Sequence, residues 1–121
     1  ILISGINPHS GEMGKIGYEE LNIINPIIKK INKKNKVLYG PCPGDSMINN
    51  TNLNLYDCFV FMYHDQALIP FKILSNLEGI NYTGGLDIIR VSPDHGTASD
   101  LIGKNIANPI SLIKCIEFIG K

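Results

Sequence analysis

The chain has 121 residues, of which 11 are basic and 11 acidic, so its formal net charge is zero at pH 7. This length predicts one domain, and the balanced charge without a polybasic patch argues against a nucleic-acid partner or an anionic membrane surface. No apolar run reaches the ~18 residues that a membrane span needs. Three cysteines without a C-x-x-C pair, Cys42, Cys58 and Cys115, argue against a disulfide framework and favour a cytoplasmic location.

Strand and helix patterns alternate in the first half of the chain. They predict a strand at 1–4, a glycine-rich loop at 5–16, a helix at 17–34, a strand at 37–39 and a turn-rich loop at 40–45. Pro26 should kink or divide the helix, which has Glu19 and Glu20 in its first turn. Its apolar stripe is Leu21, Ile24, Ile28 and Ile31.

The second half continues the alternation. It predicts a short helix from Ser46, a strand at 58–63, a helix at 65–75, an extended segment at 80–83, a strand at 87–92 and a short helix at 97–102. Asn108 as N-cap and Pro109 at the first helical position open a last helix, with the core stripe Leu112, Ile113, Ile116 and Ile119. This order predicts an α/β fold with a mainly parallel sheet flanked by helices, in one domain portion spanning residues 1–121. Because an apolar strand at residue 1 needs neighbours on both sides, we expect a C-terminal piece of a longer protein.

All three histidines follow an apolar, strand-like run. His9 comes after the run at 1–3, His64 after the run at 58–62, and His95 after the run at 88–92. In open α/β sheets, ligands bind just outside the carboxyl ends of the strands. One histidine alone is more often a structural hydrogen-bonding group, but three in the same topological position favour a functional site.

Four groups of motifs occur in order along the chain: NPHSGE (7–12) with GYEE (17–20), GPCPGDS (40–46), YHDQALIPFK (63–72) and RVSPDHGTA (90–98). Together they resemble the C-terminal part of the 4-hydroxythreonine-4-phosphate dehydrogenase family, enzymes of vitamin B6 biosynthesis. The segment 94–109 is also similar to the cofactor loop of the isocitrate and isopropylmalate dehydrogenase superfamily. The resemblance implies a fold of that superfamily, of which this chain is the incomplete C-terminal third.

The resemblance implies a divalent metal, Zn²⁺, Mg²⁺ or Co²⁺, and assigns His9 and His64 as two of its three histidine ligands. Neutral imidazole is a good ligand for ions such as Zn²⁺ and Co²⁺. The third ligand of the family precedes residue 1. His95 is the one histidine left in the sequence, and the resemblance places it in the cofactor loop instead.

The resemblance also assigns substrate and catalytic residues. Lys72, Asn81 and Arg90 match the substrate-binding positions. The lysine ammonium is a point charge and the arginine guanidinium can form two parallel hydrogen bonds, and together they suit a phosphate monoester. Read alone, Lys72 is a surface lysine and Arg90 an ion-pair partner at a strand end, although an unpaired guanidinium within an apolar strand is costly. Asp45 and Asp65 are the catalytic candidates, since either could transfer a proton or hold a ligand imidazole. The sequence does not choose between them.

Nicotinamide binding is implied by the resemblance alone, since no G-x-G-x-x-G follows a strand. The cofactor, NAD or NADP, is expected to contact Ser92, Asp94, His95, Gly96 and Thr97. We interpret Gly11, Gly14 and Gly17 as turn formers that hold the His9 loop. Two residues depart from the family pattern: Gly44 stands where alanine is expected, and Ala67 where glycine is expected.

The implied reaction is NAD-dependent oxidation of 4-phosphooxy-L-threonine with decarboxylation to 3-amino-2-oxopropyl phosphate, in a homodimer with a shared active site. Related dehydrogenases of erythronate or threonate 4-phosphate carry much the same motifs and are the alternative. His9 and His64 by themselves also permit a metal-dependent lyase or hydrolase without nicotinamide. The missing third ligand leaves open a non-catalytic fragment.

Overall fold

The computed structural model describes residues 1–120. The chain divides into two compact units, Ile1–Pro70 and the residues from Phe71 onward. The first unit holds a three-stranded sheet and the second a two-stranded one.

The sheet of the first unit is parallel. It consists of β1 (Leu2–Ser4), β2 (Tyr39–Cys42) and β3 (Phe59–Val60) in the order β2-β1-β3. All three residues of β1 are buried, as expected for the central strand of a parallel sheet. The strand predicted at 58–63 is shorter, because the N–H of Met62 donates to the Ser4 hydroxyl at 3.0 Å instead of continuing the ladder.

The helix predicted at 17–34 starts at Glu20. A π-helical turn at Glu20–Ile24 continues into α1 (Asn25–Asn32) without leaving helical dihedral angles. The N–H of Asn25 reaches back to the carbonyl of Glu20, and this wider bonding ends just before Pro26, which has no N–H to donate. Pro26 therefore lies where the hydrogen-bonding pattern of the helix changes from π to α.

The core of the first unit lies between α1 and β1. Ile24 and Ile28 are buried against Ile3, and Ile6 and Leu38 pack against that cluster. This confirms half of the predicted stripe; the other half is wrong, because Leu21 and Ile31 are 42% and 45% exposed. Two further helices follow, α2 (Asn50–Leu55) and α3 (His64–Ser75). A left-handed turn lies within Pro8–Gly14, and a short 3-10 turn lies at Gly44–Ser46.

The second unit is built on an antiparallel pair of strands. β4 (Ile80–Thr83) pairs with β5 (Arg90–Pro93), and a 3-10 turn at Ser99–Leu101 and α4 (Ile110–Ile119) follow. The strand predicted at 87–92 begins later, at Arg90, and the helix predicted at 97–102 is only the short turn. The predicted α/β class with a parallel sheet flanked by helices is confirmed, with this antiparallel pair beside it.

Helix α4 packs against β4 and β5 through its small residues. Ser111 and Cys115 are each 4% exposed, whereas Leu112, Ile113, Ile116 and Ile119 are 42–63% exposed. The predicted core stripe of this helix is therefore wrong. The predicted N-cap is wrong by one position, because Pro109 is the N-cap and the helix begins at Ile110. Asn108 Oδ1 nevertheless accepts a hydrogen bond from the N–H of Ile110 at 3.0 Å. Within residues 1–120, no helix combines the length and the hydropathy that crossing a membrane requires.

Candidate functional site

The three parallel strands of the first unit end at the same edge of the sheet. β1 leads to His9, β2 to Asp45 and β3 to His64, which is the first residue of α3. Strands β2 and β3 lie on opposite sides of β1, so the edge beyond Ser4 is a topological switch point, the usual place for a ligand in an open α/β sheet. The fold thus directs three of the predicted site residues to one edge.

The loop that carries His9 is a left-handed turn. Five successive residues, His9–Met13, have φ between 42° and 78°, and Gly14 follows at 92°. Left-handed geometry costs an L-residue roughly 1–2 kcal/mol. Four of the five residues are not glycine, so contacts elsewhere must hold the turn. The prediction that Gly11 and Gly14 form turns is confirmed by their positive φ.

Glu20 holds the start of this turn. It is 1% exposed; its Oε1 accepts from the N–H groups of Ile6 and Asn7 at 2.7 Å each, and its Oε2 accepts from Asn7 Nδ2 at 2.9 Å. A Cβ at Gly5 or Gly11 would lie 2.9 or 2.7 Å from a carboxylate oxygen of Glu20. Glycine at these two positions therefore makes room for the buried carboxylate.

Hydrogen bonding keeps this carboxylate ionised. Burial raises the pKa of Glu20, but hydrogen bonds from Asn7 and from the backbone of Asn7, Glu20 and Ile6 outweigh burial and leave the pKa below its ordinary value. Asn7 Nδ2 also donates to Glu19 Oε2 at 2.6 Å, which lowers the pKa of Glu19. Two negative carboxylates thus fix Asn7, two residues before His9.

His64 is paired with its neighbour Asp65. Its Nδ1 lies 2.7 Å from Asp65 Oδ1, and both side chains are exposed, at 77% and 82%. A carboxylate at Nδ1 favours the tautomer that leaves Nε2 available as a metal ligand. In residues 1–120 no three His, Cys, Asp or Glu side chains lie close enough to hold a metal. The structure brings the two predicted histidine ligands to one sheet edge without completing a metal site.

A cavity of about 260 Å³ adjoins His9. Its wall also includes Asp45 and Gln66, with Ile6, Asn7, Pro8 and Gly44. Of the two catalytic candidates, Asp45 thus shares a cavity with His9, and Asp65 contacts His64. Burial, with Asp45 as a smaller cause, raises the pKa of the Cys42 thiol, so Cys42 is not a ready thiolate ligand.

Gln66 is fixed by a small polar network. Its Oε1 accepts from the Tyr63 N–H at 3.2 Å and from the Ser4 hydroxyl at 3.3 Å, and Ser4 Oγ accepts from the Met62 N–H. Ser4 is completely buried. The network joins the end of β1 to the start of α3.

The second unit joins a predicted substrate residue to a predicted cofactor residue. Lys72 Nζ donates to the backbone oxygen of Asp94 at 2.9 Å and to its Oδ2 at 3.0 Å. Lys72, Asp94 and His95 border a cavity of about 250 Å³, which is otherwise mainly apolar. Ser111 supports this loop, since its hydroxyl accepts from the Asp94 N–H at 3.0 Å and donates to the Gly79 carbonyl at 2.6 Å.

The other predicted residues of this unit lie outside that cavity. Arg90 is exposed at the start of β5 and donates to Thr83 Oγ1 at 2.7 Å, and no carboxylate of residues 1–120 pairs with it. The premise that it sits in a buried apolar strand is therefore wrong. Asn81 faces Ser92 in the β4–β5 ladder. The two remaining cofactor candidates, Gly96 and Thr97, are exposed.

Sequence pattern does not identify three polar residues that support the site. By its position Glu20 is an acidic first-turn residue, and the GYEE motif is the one signal that points to it. Gln66 lies inside the YHDQ motif, and Ser111 is a lone serine in an apolar helix. Each acts through hydrogen bonds to a segment distant in sequence, which local pattern does not reveal.

Comparison with known proteins identifies the family. The profile of the family described as pyridoxal phosphate biosynthetic protein PdxA matches residues 1–119. The 4-hydroxythreonine-4-phosphate dehydrogenase of Bradyrhizobium diazoefficiens is 47% identical over 121 residues, covering 100% of this chain and 35% of that protein. The D-threonate 4-phosphate dehydrogenase of Pectobacterium atrosepticum is 43% identical over 117 residues, covering 97% of this chain and 36% of that protein.

A solved structure gives the same answer. The crystal structure of 4-hydroxythreonine-4-phosphate dehydrogenase from Klebsiella pneumoniae matches with a TM-score of 0.80 at 41% identity, over 97% of this chain and 35% of that one. The chain thus spans 35–36% of the length of these relatives, and the predicted partial fold is confirmed. Since the family profile covers the chain almost from end to end, the chain belongs to the PdxA family of pyridoxal phosphate biosynthetic proteins.

Proposed function

We propose that the chain is the metal- and phosphate-binding part of an NAD-dependent 4-hydroxythreonine-4-phosphate dehydrogenase. Such an enzyme oxidises the secondary hydroxyl of 4-phosphooxy-L-threonine, and the resulting β-keto acid loses CO₂ to give 3-amino-2-oxopropyl phosphate. The observation that carries the proposal is the placement of His9 and His64 beyond adjacent parallel strands, with Asp65 against His64 Nδ1. A homodimer in the cytoplasm is part of the same proposal.

The candidate ligands of this site are imidazole nitrogens, so it fits a divalent metal that prefers nitrogen to oxygen ligands. His9 and His64 would hold the ion, and two imidazoles favour Zn²⁺ or Co²⁺ over Mg²⁺. A bound divalent ion supplies Lewis-acid polarisation of a hydroxyl or carbonyl oxygen. Asp65 contributes by holding the His64 ring in the ligating tautomer. With two of three family ligands, residues 1–121 alone are expected to show no turnover.

Asp45 is positioned to take the proton of the substrate hydroxyl. It shares the cavity with His9, whereas Asp65 is already engaged by the His64 ring. A general base must come within hydrogen-bond reach of the proton that it removes. We therefore assign proton transfer to Asp45 and ring orientation to Asp65.

Lys72, Asn81 and Arg90 serve the phosphate. The Lys72 ammonium is held by Asp94, and a dianionic phosphate is a stronger partner for it than one carboxylate. The Arg90 guanidinium is bound by one neutral hydroxyl and exposed, so its fork remains free for a bidentate contact. Binding energy from the phosphate end orients the reacting alcohol.

The cavity beside Asp94 and His95 fits the adenosine end of NAD. Its wall is mainly apolar, as a planar base requires, and includes Asn108 and Ser111 as polar groups. Ser92, Gly96 and Thr97 complete the proposed cofactor loop. NAD and NADP differ at the 2′-oxygen of the adenosine ribose, so the residue that contacts this oxygen decides between them.

A second candidate function is oxidation of a sugar-acid phosphate. The Pectobacterium relative, at 43% identity, is named a D-threonate 4-phosphate dehydrogenase, and such a substrate shares the phosphate, the secondary hydroxyl and the carboxylate. The two substrates differ at one position, where 4-phosphooxy-L-threonine has an amino group and threonate 4-phosphate has a hydroxyl group. The non-catalytic fragment and the metal-dependent lyase or hydrolase remain the alternatives from other classes.

The test is a chimera in which residues 1–121 replace the matching segment of the Bradyrhizobium enzyme. We expect metal-dependent reduction of NAD with 4-phosphooxy-L-threonine, exceeding that with threonate or erythronate 4-phosphate and with NADP. A folded, metal-loaded chimera that reduces neither nucleotide with any of the three substrates rejects the proposal. Arg90→Lys should raise the KM for the phosphorylated substrate about 10–150-fold, as for a lost hydrogen bond to a charged group, without raising that for NAD.

A further inference from the structure

We infer that Gln66 binds the substrate, donating a hydrogen bond from its side-chain Nε2 to a carboxylate or hydroxyl oxygen held beside His9. The inference rests on the proposed function and adds one residue to its site. Gln66 belongs to the wall of the same cavity of about 260 Å³ as His9 and Asp45. Its place in this wall, the orientation of its amide and the space above Gly44 all point to this role.

The orientation of the Gln66 amide follows from its partners. The oxygen and nitrogen of an amide are distinguished by their hydrogen bonds. Tyr63 presents a backbone N–H, which can only donate, so the Gln66 atom 3.2 Å away must be the oxygen. Ser4 Oγ accepts from the Met62 N–H and is left with its own hydrogen to give to the same oxygen. Both contacts therefore fix Nε2 on the other side of the amide.

Gly44 provides the space for Nε2. A Cβ on Gly44 would lie 2.8 Å from Gln66 Nε2 and 3.1 Å from Cδ, closer than van der Waals contact allows. Gly44 belongs to the wall of the cavity as well. The amide nitrogen thus occupies the volume that an alanine side chain would fill, and alanine is what the resemblance leads one to expect there. No acceptor within residues 1–120 takes either Nε2 hydrogen.

The polar groups of this cavity are complementary to a hydroxy acid. Asp45 offers an acceptor for a hydroxyl proton, and Gln66 offers two neutral N–H donors for substrate oxygens. A neutral donor adds no charge to a site that has to accommodate a cation. A cavity with a fixed, unpartnered donor also discriminates against molecules without an oxygen at that place, because the donor then loses water without a replacement.

The experiment compares Gln66→Glu and Gln66→Met in the chimera. Glutamate has the same shape, keeps one oxygen for Tyr63 and Ser4, and changes the cavity-facing donor into an acceptor. We expect Q66E to raise the KM for the phosphorylated substrate about 10–150-fold, as for a lost hydrogen bond to a charged group, with Tm and the KM for NAD unchanged. Methionine removes both the oxygen that accepts from Tyr63 and Ser4 and the donor that faces the cavity. It should therefore raise the same KM and also lower Tm.

The opposite pattern overturns the inference. If Gln66 acts only through its oxygen, Q66E will bind substrate normally and Q66M alone will be impaired. Inorganic phosphate, as a competitive inhibitor, detects a long-range effect of the new negative charge: an equal loss of phosphate inhibition in Q66E assigns the effect to charge and rejects the donor role. An inactive wild-type chimera rejects the proposed function and this inference with it.

Discussion

The two compact units carry their proposed binding residues in different ways. In Ile1–Pro70 the loops rest on polar groups that are buried, Glu20 at 1% and Ser4 at 0% exposure. In the second unit Lys72 and Arg90 are exposed, although the Asp94 partner of Lys72 is 18% exposed, and Ser111 is the one buried polar side chain of its described residues. Buried polar networks fix one geometry, whereas surface contacts exchange readily with solvent or ligand.

This difference matches the chemistry proposed for each unit. Ligation and proton transfer depend on geometry to within a fraction of an ångström, so a rigid frame around His9 is useful. Phosphate and cofactor binding require charged groups that change partners when the ligand arrives. Substitutions in both units, and acid, test the contrast between the rigid and the exchangeable unit.

The largest effect is expected at Glu20. Glu20→Gln can keep an oxygen for the N–H groups of Ile6 and Asn7, but it replaces the other acceptor with a donor that faces Asn7 Nδ2. The substitution should destabilise the first unit by about 3 kcal/mol, the cost of unsatisfied buried donors. Urea unfolding measures this. The matched control is Glu19→Gln, the same change at an exposed residue with a single hydrogen bond from Asn7. Equal shifts in the two midpoints would contradict the assignment of Glu20 as the anchor.

The next effect is expected on metal binding. Asp65→Asn keeps the size of the side chain but weakens its hold on His64 Nδ1, and loss of a carboxylate that orients a ligand imidazole reduces metal affinity about 10–100-fold. Competition of the chimera with a chelating dye for Zn²⁺ measures the affinity. His64→Ala is the reference for complete loss of the ligand, and an affinity of D65N equal to wild type would remove Asp65 from the proposed site.

A smaller effect is expected at Ser111 in the second unit. Ser111→Ala leaves the Gly79 carbonyl and the Asp94 N–H without their partner and should cost about 1–2 kcal/mol. Because the Asp94 loop loses its support, the KM for NAD in the chimera should rise as well. The exposed Ser99→Ala is the control. A rise in the KM for NAD of the same size in S99A would show that Ser111 has no special role.

The smallest effect is the loss of stability that we expect when acid protonates Glu20. The folded pKa of Glu20 lies below that of the unfolded chain, so its contribution to stability is full above the unfolded value, about 4.3, and is lost as the pH falls through the folded value. The loss is smaller than in E20Q, because the hydroxyl oxygen of a protonated carboxyl can still accept a hydrogen bond and the amide nitrogen of glutamine cannot. The difference between the free energies of unfolding of wild type and E20Q, measured at several pH values, should therefore narrow at low pH. Parallel curves would exclude Glu20 as the titrating group.

Much of the frame was predictable from the sequence because strands and their polar ends are local patterns. The apolar run before His9, and the run at 58–62 before His64, placed both histidines at strand ends, and parallel pairing of β1 with β3 brought them to one edge. The alternation of elements indicated the α/β class for the same reason. The hydrogen bond between Asn108 and the N–H of Ile110 was predictable because it extends over only two residues, although the helix starts one residue later than predicted.

Other features depend on contacts that no local pattern records. Five successive left-handed residues at His9–Met13 contradict the preference of four of them. The segment just before them is held by hydrogen bonds from the N–H groups of Ile6 and Asn7 to Glu20, which is distant in sequence. Helix α4 is apolar on more than one face, so periodicity could not show that Ser111 and Cys115 pack inward. The exposure of Arg90 follows from where β5 begins.

Because the turn at His9–Met13 is left-handed, a D-amino acid could replace an L-amino acid there without a conformational penalty. A D-residue prefers the geometry that an L-residue adopts at a cost of roughly 1–2 kcal/mol. Ser10 is suited to such an exchange, because its φ is 51° and its buried hydroxyl has no hydrogen-bond partner. A chemically synthesised chain with D-alanine at position 10 would thus stiffen the support of His9 without changing the imidazole, and so separate the rigidity of the loop from the identity of its ligand.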